Sequence, residues 1–470
     1  MSDPSWLTVL PPVVAIGLAI ATRQVYLSLL VGLWFGHTLL CDLNPLRGLG
    51  RTLDACIDVL GDAGNTKVVV FSALVGSLIA LTQASGGVAG FVDWIGGRGR
   101  VATRRRATML SFAIGMVVFV ESSMTALVNG AICRPIFDRL HISREKLAYL
   151  CDATAAPICI LIPLNAWGAY IARLLANEGY DEPVRLLVAT MPYNLYALFA
   201  VALALFVAWT GLDFGPMRRA ERRAAETGQV LRPGAEPLIS EDLTTLGPEP
   251  GQPRRARDFA LPVGLMVAMM PVGLYVTGDG DLMKGSGSTA VFWAVLAGVA
   301  LAAALWAAQG ARLHRVTDVF FKGFGGLMPL AVLMVLAFAT SSMTKELGTG
   351  RYVAGLAQAG LSPALVPAAL FAVASFIAFA TGTSWGTFGI MIPIAVPLVA
   401  VLPGHDALLL GAVLGGGIFG DHCSPISDTT IISSMAAGSD HIDHVNTQLP
   451  YALAAGLAAT VVYAVLGLAA

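Results

Sequence analysis

Long apolar stretches separated by short polar turns run along the whole chain, in place of the amphipathic periodicity typical of soluble helices and strands. A stretch of roughly 20 apolar residues is long enough to cross a bilayer as a helix. The pattern therefore predicts an all-α polytopic membrane protein with about ten crossing helices. These lie near residues 5–22, 25–41, 67–83, 147–168, 187–210, 258–277, 289–308, 325–343, 408–435 and 450–469.

Two further apolar stretches, 107–138 and 363–402, are too long for one crossing and too short for a comfortable pair. Each has a polar break of Gly, Ser or Thr in its middle, which favours a re-entrant hairpin; a single broken crossing is the alternative. Loops rich in Lys and Arg stay in the cytoplasm. Basic clusters at 98–106 and 139–146 flank the first stretch, and only a hairpin places both inside. Both chain termini are then expected outside.

The segment 211–257 is rich in Pro, Glu and Arg and poor in aromatic residues. Such a composition cannot bury enough apolar surface to offset the entropy of ordering, so it predicts a disordered linker. Its many arginines place this linker in the cytoplasm. The linker divides the chain into a first half, 1–210, and a second half, 258–470.

The two halves resemble each other in the order of their polar features. Asp152 with Pro157 matches Asp421 with Pro425, and four other pairs of features recur in the same order. Each half contributes five crossings and one hairpin, so the second half has to start from the opposite face of the membrane. This predicts two inverted repeats with broken helices at 147–168 and 408–435, an arrangement by which many secondary transporters place a site at the bilayer midplane.

Ionisable residues inside membrane segments are costly and are therefore functional candidates. The candidates fall at Gly, Pro or Ser/Thr interruptions, where backbone carbonyls are freed and water can enter. Carboxylates, carbonyls and hydroxyls are hard oxygen ligands that suit Na+ or H+. The four candidates are Glu121, Asp152, Asp421 and Asp428.

The segment 420–430 has the richest set of these groups. Asp421 and Asp428 flank the break at Pro425, and Ser424 and Thr429 add hydroxyls. A Na+ site at Asp421 and Asp428 is the functional interpretation. The alternative is that both aspartates cap helix halves, since Asp is a preferred N-cap; the two roles are compatible.

The other breaks supply fewer ligands. Asp152 and Thr154 occupy the matching segment of the first half, where a cap or a helix contact is as good an interpretation of Asp152 as an ion site. Glu121 opens the first hairpin break and is interpreted as a proton carrier, with pairing to Arg134 as the alternative, while Asn129 is expected to face another helix. Further ion or substrate candidates at the two hairpin breaks are Ser122, Ser123, Thr381, Thr383 and Ser384.

Composition narrows the function classes. Only 13% of residues are charged, against about a quarter in soluble domains, and the net charge of −1 does not indicate a nucleic-acid partner. No nucleotide-binding fingerprint is present, so a gradient is expected to power transport without a cofactor. An enzyme is not expected. The one candidate pair of nucleophile and base is Cys423 with His422, and neighbours in sequence do not face each other on a helix. The run 440–444 is interpreted as a solvated face, not a metal cluster.

The motifs at 420–430, 440–444 and Gln448 to Tyr451 resemble the NhaC-type Na+/H+ antiporter family, as do 143–149, 154–157 and 381–387. This resemblance covers the membrane core but not the linker. It implies the ion-transporter superfamily fold, a homodimer, and a transport domain that moves against a scaffold. It also implies that Asp421, Ser424, Asp428 and Thr429 lie at the ion or substrate site.

One departure from the family pattern concerns the solute. Members of the family often carry an acidic pair at the first hairpin tip, where this chain has Glu121 and Ser122. The leading hypothesis is Na+/H+ antiport by alternating access in the bacterial inner membrane. The alternative is a Na+- or H+-coupled carrier of a small organic acid or amino acid; a channel explains the inverted repeat less naturally.

Overall fold

The computed structural model describes residues 5–22, 25–96, 103–119, 122–237, 253–282, 284–349, 352, 362–425 and 427–470. The described part is almost entirely helical, which confirms the prediction of an all-α protein. In the first half the helices are α1 (Leu10–Thr22), α2 (Val25–Leu40), α3 (Pro45–Gly61), α4 (Ala63–Ala84), α5 (Gly87–Gly96), α6 (Arg104–Val117), α7 (Ser122–Arg139), α8 (Arg144–Leu161), α9 (Ala166–Asn177), α10 (Pro183–Thr190) and α11 (Leu195–Thr210).

Helix α12 (Gly215–Thr227) follows in the predicted linker. The helices of the second half are α13 (Arg257–Thr277), α14 (Gly287–Ala308), α15 (Leu313–Gly326), α16 (Met328–Leu347), α17 (Val366–Thr381), α18 (Ser384–Leu398), α19 (Asp406–Cys423), α20 (Asp428–Ala437) and α21 (His441–Ala469). Short 3-10 turns lie at Trp6–Val9, Met191–Tyr193, Pro363–Leu365 and Val399–Val401.

Polar residues at the ends of the apolar stretches set the helix boundaries. The Asp62 side chain accepts a hydrogen bond from the backbone N–H of Asn65 and starts α4, and Ser143 does the same for Lys146 at the start of α8. Gly382, with φ of +68°, ends α17 in the left-handed conformation that glycine adopts without strain. These caps satisfy backbone donors and acceptors that the ends of a helix leave without partners inside the helix.

By length and composition, six of the described helices could cross a membrane, or eight if each of two bent helix pairs counts as one span. The prediction of about ten crossings therefore stays a prediction. One bent pair is α2 with α3, which meet at 120°. Neither α3 nor α15 was expected from the sequence, because both mix apolar and charged residues and lack a continuous apolar run.

Two consecutive helices occupy each of the four stretches for which a break was predicted, but α8 continues through Pro157, so Asp152 lies inside a continuous helix. The stretch 107–138 forms α6 and α7, which pack on each other, and 363–402 forms α17 and α18. Helices α8 and α9 meet at 41° around 162–165. Helices α19 and α20 are separated by 424–427.

The helices pack as two groups. The first group is α1–α4 with α13–α16, in which α4 lies against α14, α15 and α16. The second group is α6–α8, α11 and α17–α21, in which α8 contacts α19, α20 and α21. Helices α9, α16, α17 and α18 make contacts between the groups. Each group therefore combines helices from both halves of the chain.

The prediction of a disordered linker over 211–257 is wrong for its first part, because α12 forms there. Met217, Ala220 and Ala224 lie on one side of α12 and are buried against α8 and α21. A narrow apolar stripe is enough to dock a helix whose other side carries arginines. The low apolar content of the segment therefore did not reveal that it folds. Residues 238–252 lie outside the described residues.

Candidate functional site

The break between α19 and α20 brings a carboxylate and hydroxyls together in the protein interior. Asp421, in the last turn of α19, is fully buried. Thr429 Oγ1, in the first turn of α20, donates to Asp421 Oδ2 at 3.0 Å across the break. Ser427 caps α20 and lies 3.1 Å from the Thr429 hydroxyl. The interruption of the helix therefore creates a buried cluster of hard oxygen atoms.

The break between α17 and α18 packs against this cluster. Ser424 Oγ donates to the carbonyl of Phe379 in α17 at 2.7 Å. Ser384 Oγ, at the start of α18, donates to the carbonyl of Gly417 in α19 at 3.2 Å. Gly420 permits this approach, because a Cβ there would lie 2.0 Å from the Ser375 carbonyl oxygen. The two breaks of the second half are therefore neighbours.

Asp152 of α8 contributes a second buried carboxylate, to which two other helices donate. Gln448 Nε2 of α21 donates to Asp152 Oδ2 at 2.6 Å, and Thr430 Oγ1 of α20 donates to the same oxygen at 3.2 Å. His444 Nε2 lies 3.5 Å from Asp152 Oδ2, and His422 Nε2 lies 3.9 Å from Asp152 Oδ1. Asp152 therefore joins the first half of the chain to the second, which is more than an N-cap would do.

Gln448 and His422 extend this network towards α11. Gln448 Nε2 also donates to the backbone carbonyl of His422 at 3.0 Å, and His422 Nδ1 lies 2.9 Å from the Tyr196 hydroxyl. Tyr196 and both histidines are at most 2% exposed. Because His422 follows Asp421 directly, the Asp152 network and the Asp421 cluster share the last turn of α19.

Sequence reasoning did not select His422, His444 or Gln448 as site residues. The predicted solvated face at 440–444 is wrong at His444, which is fully buried. The usable signal was the spacing of four residues between His444 and Gln448, which places both on one face of α21. Among the described residues, no group of three or more His, Cys, Asp or Glu side chains could hold a metal ion.

The remaining candidates divide into three sets. Thr383 and Ser384 are buried beside α19, whereas Thr154 is buried but donates to Leu150 within its own helix. Ser122 begins α7 and is buried. Glu121 and the side chains of Ser123, Thr381 and Asp428 lie outside what the structure describes.

Helices α6 and α7 are held together by side-chain hydrogen bonds to backbone carbonyls. Asn129 Nδ2 of α7 donates to the Ser111 carbonyl of α6 at 2.9 Å, which confirms that Asn129 contacts another helix. Thr125 Oγ1 donates to the Val118 carbonyl. Helix α7 also packs on α20, the helix that contributes Thr429 to the Asp421 cluster.

The described part of the linker docks on the helices that carry the site. Glu221 Oε1 accepts from the backbone N–H and the hydroxyl of Ser143, and Arg223 pairs with buried Glu145 at 2.9 Å. Farther along, Arg232 pairs with Asp443 at the start of α21. The described linker contacts thus hold α8 and α21, which contribute Asp152 and Gln448.

Comparison with known proteins identifies the kind of molecule. The Na+/H+ antiporter family matches residues 171–468. A Haemophilus influenzae protein described only as uncharacterized is 33% identical over 99% of this chain and 91% of its own length. The malate-2H+/Na+-lactate antiporter of Bacillus subtilis is 31% identical over 37% of this chain and 36% of its own length.

Among solved structures, the YdaH transporter of Alcanivorax borkumensis has the same fold, with a TM-score of 0.56 over 89% of this chain and 88% of that one. The two sequences are 14% identical, so this similarity concerns the fold alone. Together with the apolar helices, the family match identifies a multi-pass membrane protein that works as a secondary transporter and not as an enzyme. The chain belongs to the Na+/H+ antiporter family.

Proposed function

We propose that the protein exchanges Na+ for H+ and that both bind at the break between α19 and α20. The observation that supports this best is the buried Asp421 carboxylate, which lies beside the hydroxyls of Ser427 and Thr429 and is packed against a second helix break. Oxygen atoms of this kind are the ligands that hard cations take. Asp428, the first residue of α20, would supply the second carboxylate.

Competition for these carboxylates would couple the two ions. A carboxylate that holds Na+ cannot hold a proton, so binding of either ion displaces the other. Asp152 would position the helices of the site without binding the ion, because its hydrogen bonds to Gln448 and Thr430 fix α20 and α21 relative to α8. Glu121 is proposed to carry a proton at the first hairpin break.

The movement that exposes the site is proposed to be elevator-like. The second helix group carries Asp152, Asp421 and both hairpin breaks, while the first group carries none of the site residues. The order of helices also repeats: α1–α4 and then α6–α9 in the first half correspond to α13–α16 and then α17–α20 in the second. This order supports two inverted repeats, a scaffold and a moving group.

The surroundings of the protein follow from the same proposal. Arginines concentrate around α12 and the adjacent ends of α6 and α8, which supports a cytoplasmic linker and, with it, external termini in a bacterial inner membrane. The proposed assembly is a homodimer. The partners of the protein are then the lipid bilayer, a second copy and the transported solute.

The test is ion exchange in proteoliposomes that contain a pH-sensitive dye. A NaCl pulse should release protons from liposomes with the wild-type protein, and Asp421→Asn and Asp428→Asn should each abolish this release. Asp406→Asn is the matched control, because Asp406 lies at the other end of α19 and pairs with Tyr180. A wild-type protein that is folded and inserted but gives no proton response to Na+ would contradict the proposal.

The second candidate is Na+- or H+-coupled exchange of a small organic acid or amino acid. It is favoured by the similarity to the Bacillus subtilis malate–lactate antiporter and by the single carboxylate, Glu121, at the first hairpin tip. The same liposomes distinguish the two, since organic-solute exchange would give proton release only when malate, lactate or an amino acid accompanies the cation.

A further inference from the structure

A charged cavity of about 460 Å³ lies between the first helix group and α9, a helix that contacts both groups. Residues of α2, α3, α4 and α16 of the first group line the cavity, together with residues of α9. Residues of both signs line it, among them Arg51, Asp58, Arg173 and Glu346. A lining of this kind admits a hydrated ion or a small charged solute.

The cavity lies at the end of the molecule opposite to the linker. The linker docks at the start of α8, through Ser143 and Glu145. The cavity lies at the end of α9, where Asn177 lines it and accepts a hydrogen bond from Lys345 at 2.7 Å. Because α8 and α9 together span roughly 40 Å, the two features lie at opposite ends of these helices.

A layer of aromatic rings begins at Phe338 in the wall of this cavity. Phe338 of α16 lines the cavity, and its ring centroid lies 5.6 Å from that of Tyr170 in α9. The Tyr170 ring lies 5.2 Å from that of Trp385 in α18, and Trp167 lies 4.8 Å beyond Trp385. All four side chains are at most 4% exposed.

On the side away from the cavity, the layer borders the candidate site at Ser384. Trp385 follows Ser384, whose hydroxyl donates to α19, and the Tyr170 hydroxyl donates to the Trp385 carbonyl at 3.1 Å. The layer therefore lies between the cavity and the break of α17 and α18. It also joins the two helix groups, because Phe338 belongs to the first and Trp385 to the second. A displacement of one group against the other has to slide or part these rings.

We propose that the cavity is the vestibule through which the solute reaches the site from the face opposite to the linker, and that Phe338, Tyr170 and Trp385 form the gate that closes it. This inference rests on the proposed transport site, but it concerns access and not the identity of the solute. Removing the Tyr170 ring opens a route from the vestibule to Ser384.

The test is the accessibility of cysteines in a protein whose six native cysteines have been replaced. Ser342→Cys reports on the vestibule, which Ser342 lines, and Ser384→Cys reports on the site. A membrane-impermeant thiol reagent is added to one face at a time. Ser342→Cys should react from the face opposite to the linker. Ser384→Cys should react slowly alone and about tenfold faster or more, from that same face, when combined with Tyr170→Ala or Phe338→Ala.

Two controls separate a gate from general loosening. Tyr170→Phe keeps the ring and should keep Ser384→Cys slow. Tyr463→Ala removes an equally buried tyrosine of α21 outside the layer and should leave the rate unchanged. The inference is overturned if Tyr170→Ala and Phe338→Ala both leave the rate unchanged, if Tyr463→Ala raises it equally, or if labelling comes from the linker face. No ion flux enters this measurement, so absence of Na+/H+ exchange would sink the proposed function and leave the gate standing.

Discussion

The ion pair between Lys146 and Asp213 permits a prediction whose size follows from its burial. Lys146 Nζ lies 2.7 Å from Asp213 Oδ2, and the two side chains are 2% and 3% exposed. The Tyr451 hydroxyl donates to the other oxygen, Asp213 Oδ1, at 3.1 Å. The pair thus connects the start of α8, the beginning of the linker and α21.

Removal of Lys146 alone should cost far more than removal of both partners. Lys146→Met leaves a buried carboxylate without its cation, and breaking such a pair costs about 3–5 kcal/mol. Asp213→Leu should cost less, because Glu221 Oε2 lies 3.7 Å from Lys146 Nζ and remains as a partner. The double variant carries no uncompensated charge, so its stability should lie close to that of the wild type.

The assay is thermal unfolding of the purified protein in detergent, followed by tryptophan fluorescence. Lys146→Met should lower the melting temperature by about 5 °C or more, and the double variant should recover most of that loss. Trypsin cleavage at the linker arginines gives a second readout, since α12 should detach in the single variants. Arg232→Gln is the control, because its pair with Asp443 is half exposed and exposed pairs contribute little.

Either of two results would refute this reasoning. If Lys146→Met has the same melting temperature as the wild type, the pair is not buried as described. If the double variant loses the sum of the two single losses, the charges do not compensate each other and packing decides the effect.

Three further predictions concern the site and its attachment. Gly420→Ala should abolish Na+-dependent proton release, because its Cβ would lie 2.0 Å from the Ser375 carbonyl and push α17 from α19 beside Asp421. Gln448→Leu should reduce the rate of proton release strongly, because it removes the donor shared by Asp152 and the His422 carbonyl. Partial burial raises the pKa of Asp440, but backbone N–H groups, including that of Glu236, donate to its carboxylate and hold that pKa below its ordinary value. Linker docking should therefore be intact above the ordinary pKa of Asp, about 3.9, and weaken as the pH falls through the lowered value; a fluorophore at Ala235→Cys in a cysteine-free protein would report it.

Each of these has a matched control. Gly264→Ala meets no atom within 4 Å and should leave transport unchanged. Asn446→Leu changes an exposed residue near Gln448 and should keep transport. Asp440→Asn should weaken linker docking already at neutral pH, and the fluorophore at residue 235 should report this. Proton release that survives Gly420→Ala, or fluorescence that ignores both acid and Asp440→Asn, would contradict the corresponding geometry.

Much of the fold could be predicted because its signals are local. The apolar lengths and the interruptions at Gly, Pro and Ser predicted broken helices, and two consecutive helices occupy each of the four stretches, although α8 continues through Pro157 and bends only at 162–165. Helices α3 and α15 could not be predicted in this way, because their charged residues are compatible with a loop. Helix α12 was not predicted for a related reason. Its three buried apolar residues are enough to stabilise it only because α8 and α21 provide a surface on which they pack.

In the candidate site, too, contacts between residues close in sequence could be predicted and contacts between distant helices could not. Asp421, Ser424 and Thr429 lie close together in sequence, around one break, so their proximity was predictable. The partners of Asp152 were not, because Gln448 is 296 residues away and reaches it only through the packing of α8 on α21. His444 was misjudged because polar composition does not reveal which face of a helix turns inward.

By itself the sequence determined an all-helical membrane protein with interrupted helices and carboxylates at the interruptions. The physical reason is that a chain in lipid must satisfy its backbone hydrogen bonds locally, so the length of the apolar stretches predicts where most of the apolar helices run. Only the tertiary structure decided which polar groups meet: Asp152 with Gln448 and His444, Lys146 with Asp213, and Tyr170 with Trp385. These contacts depend on how distant helices are rotated and packed against each other, and no local rule specifies that.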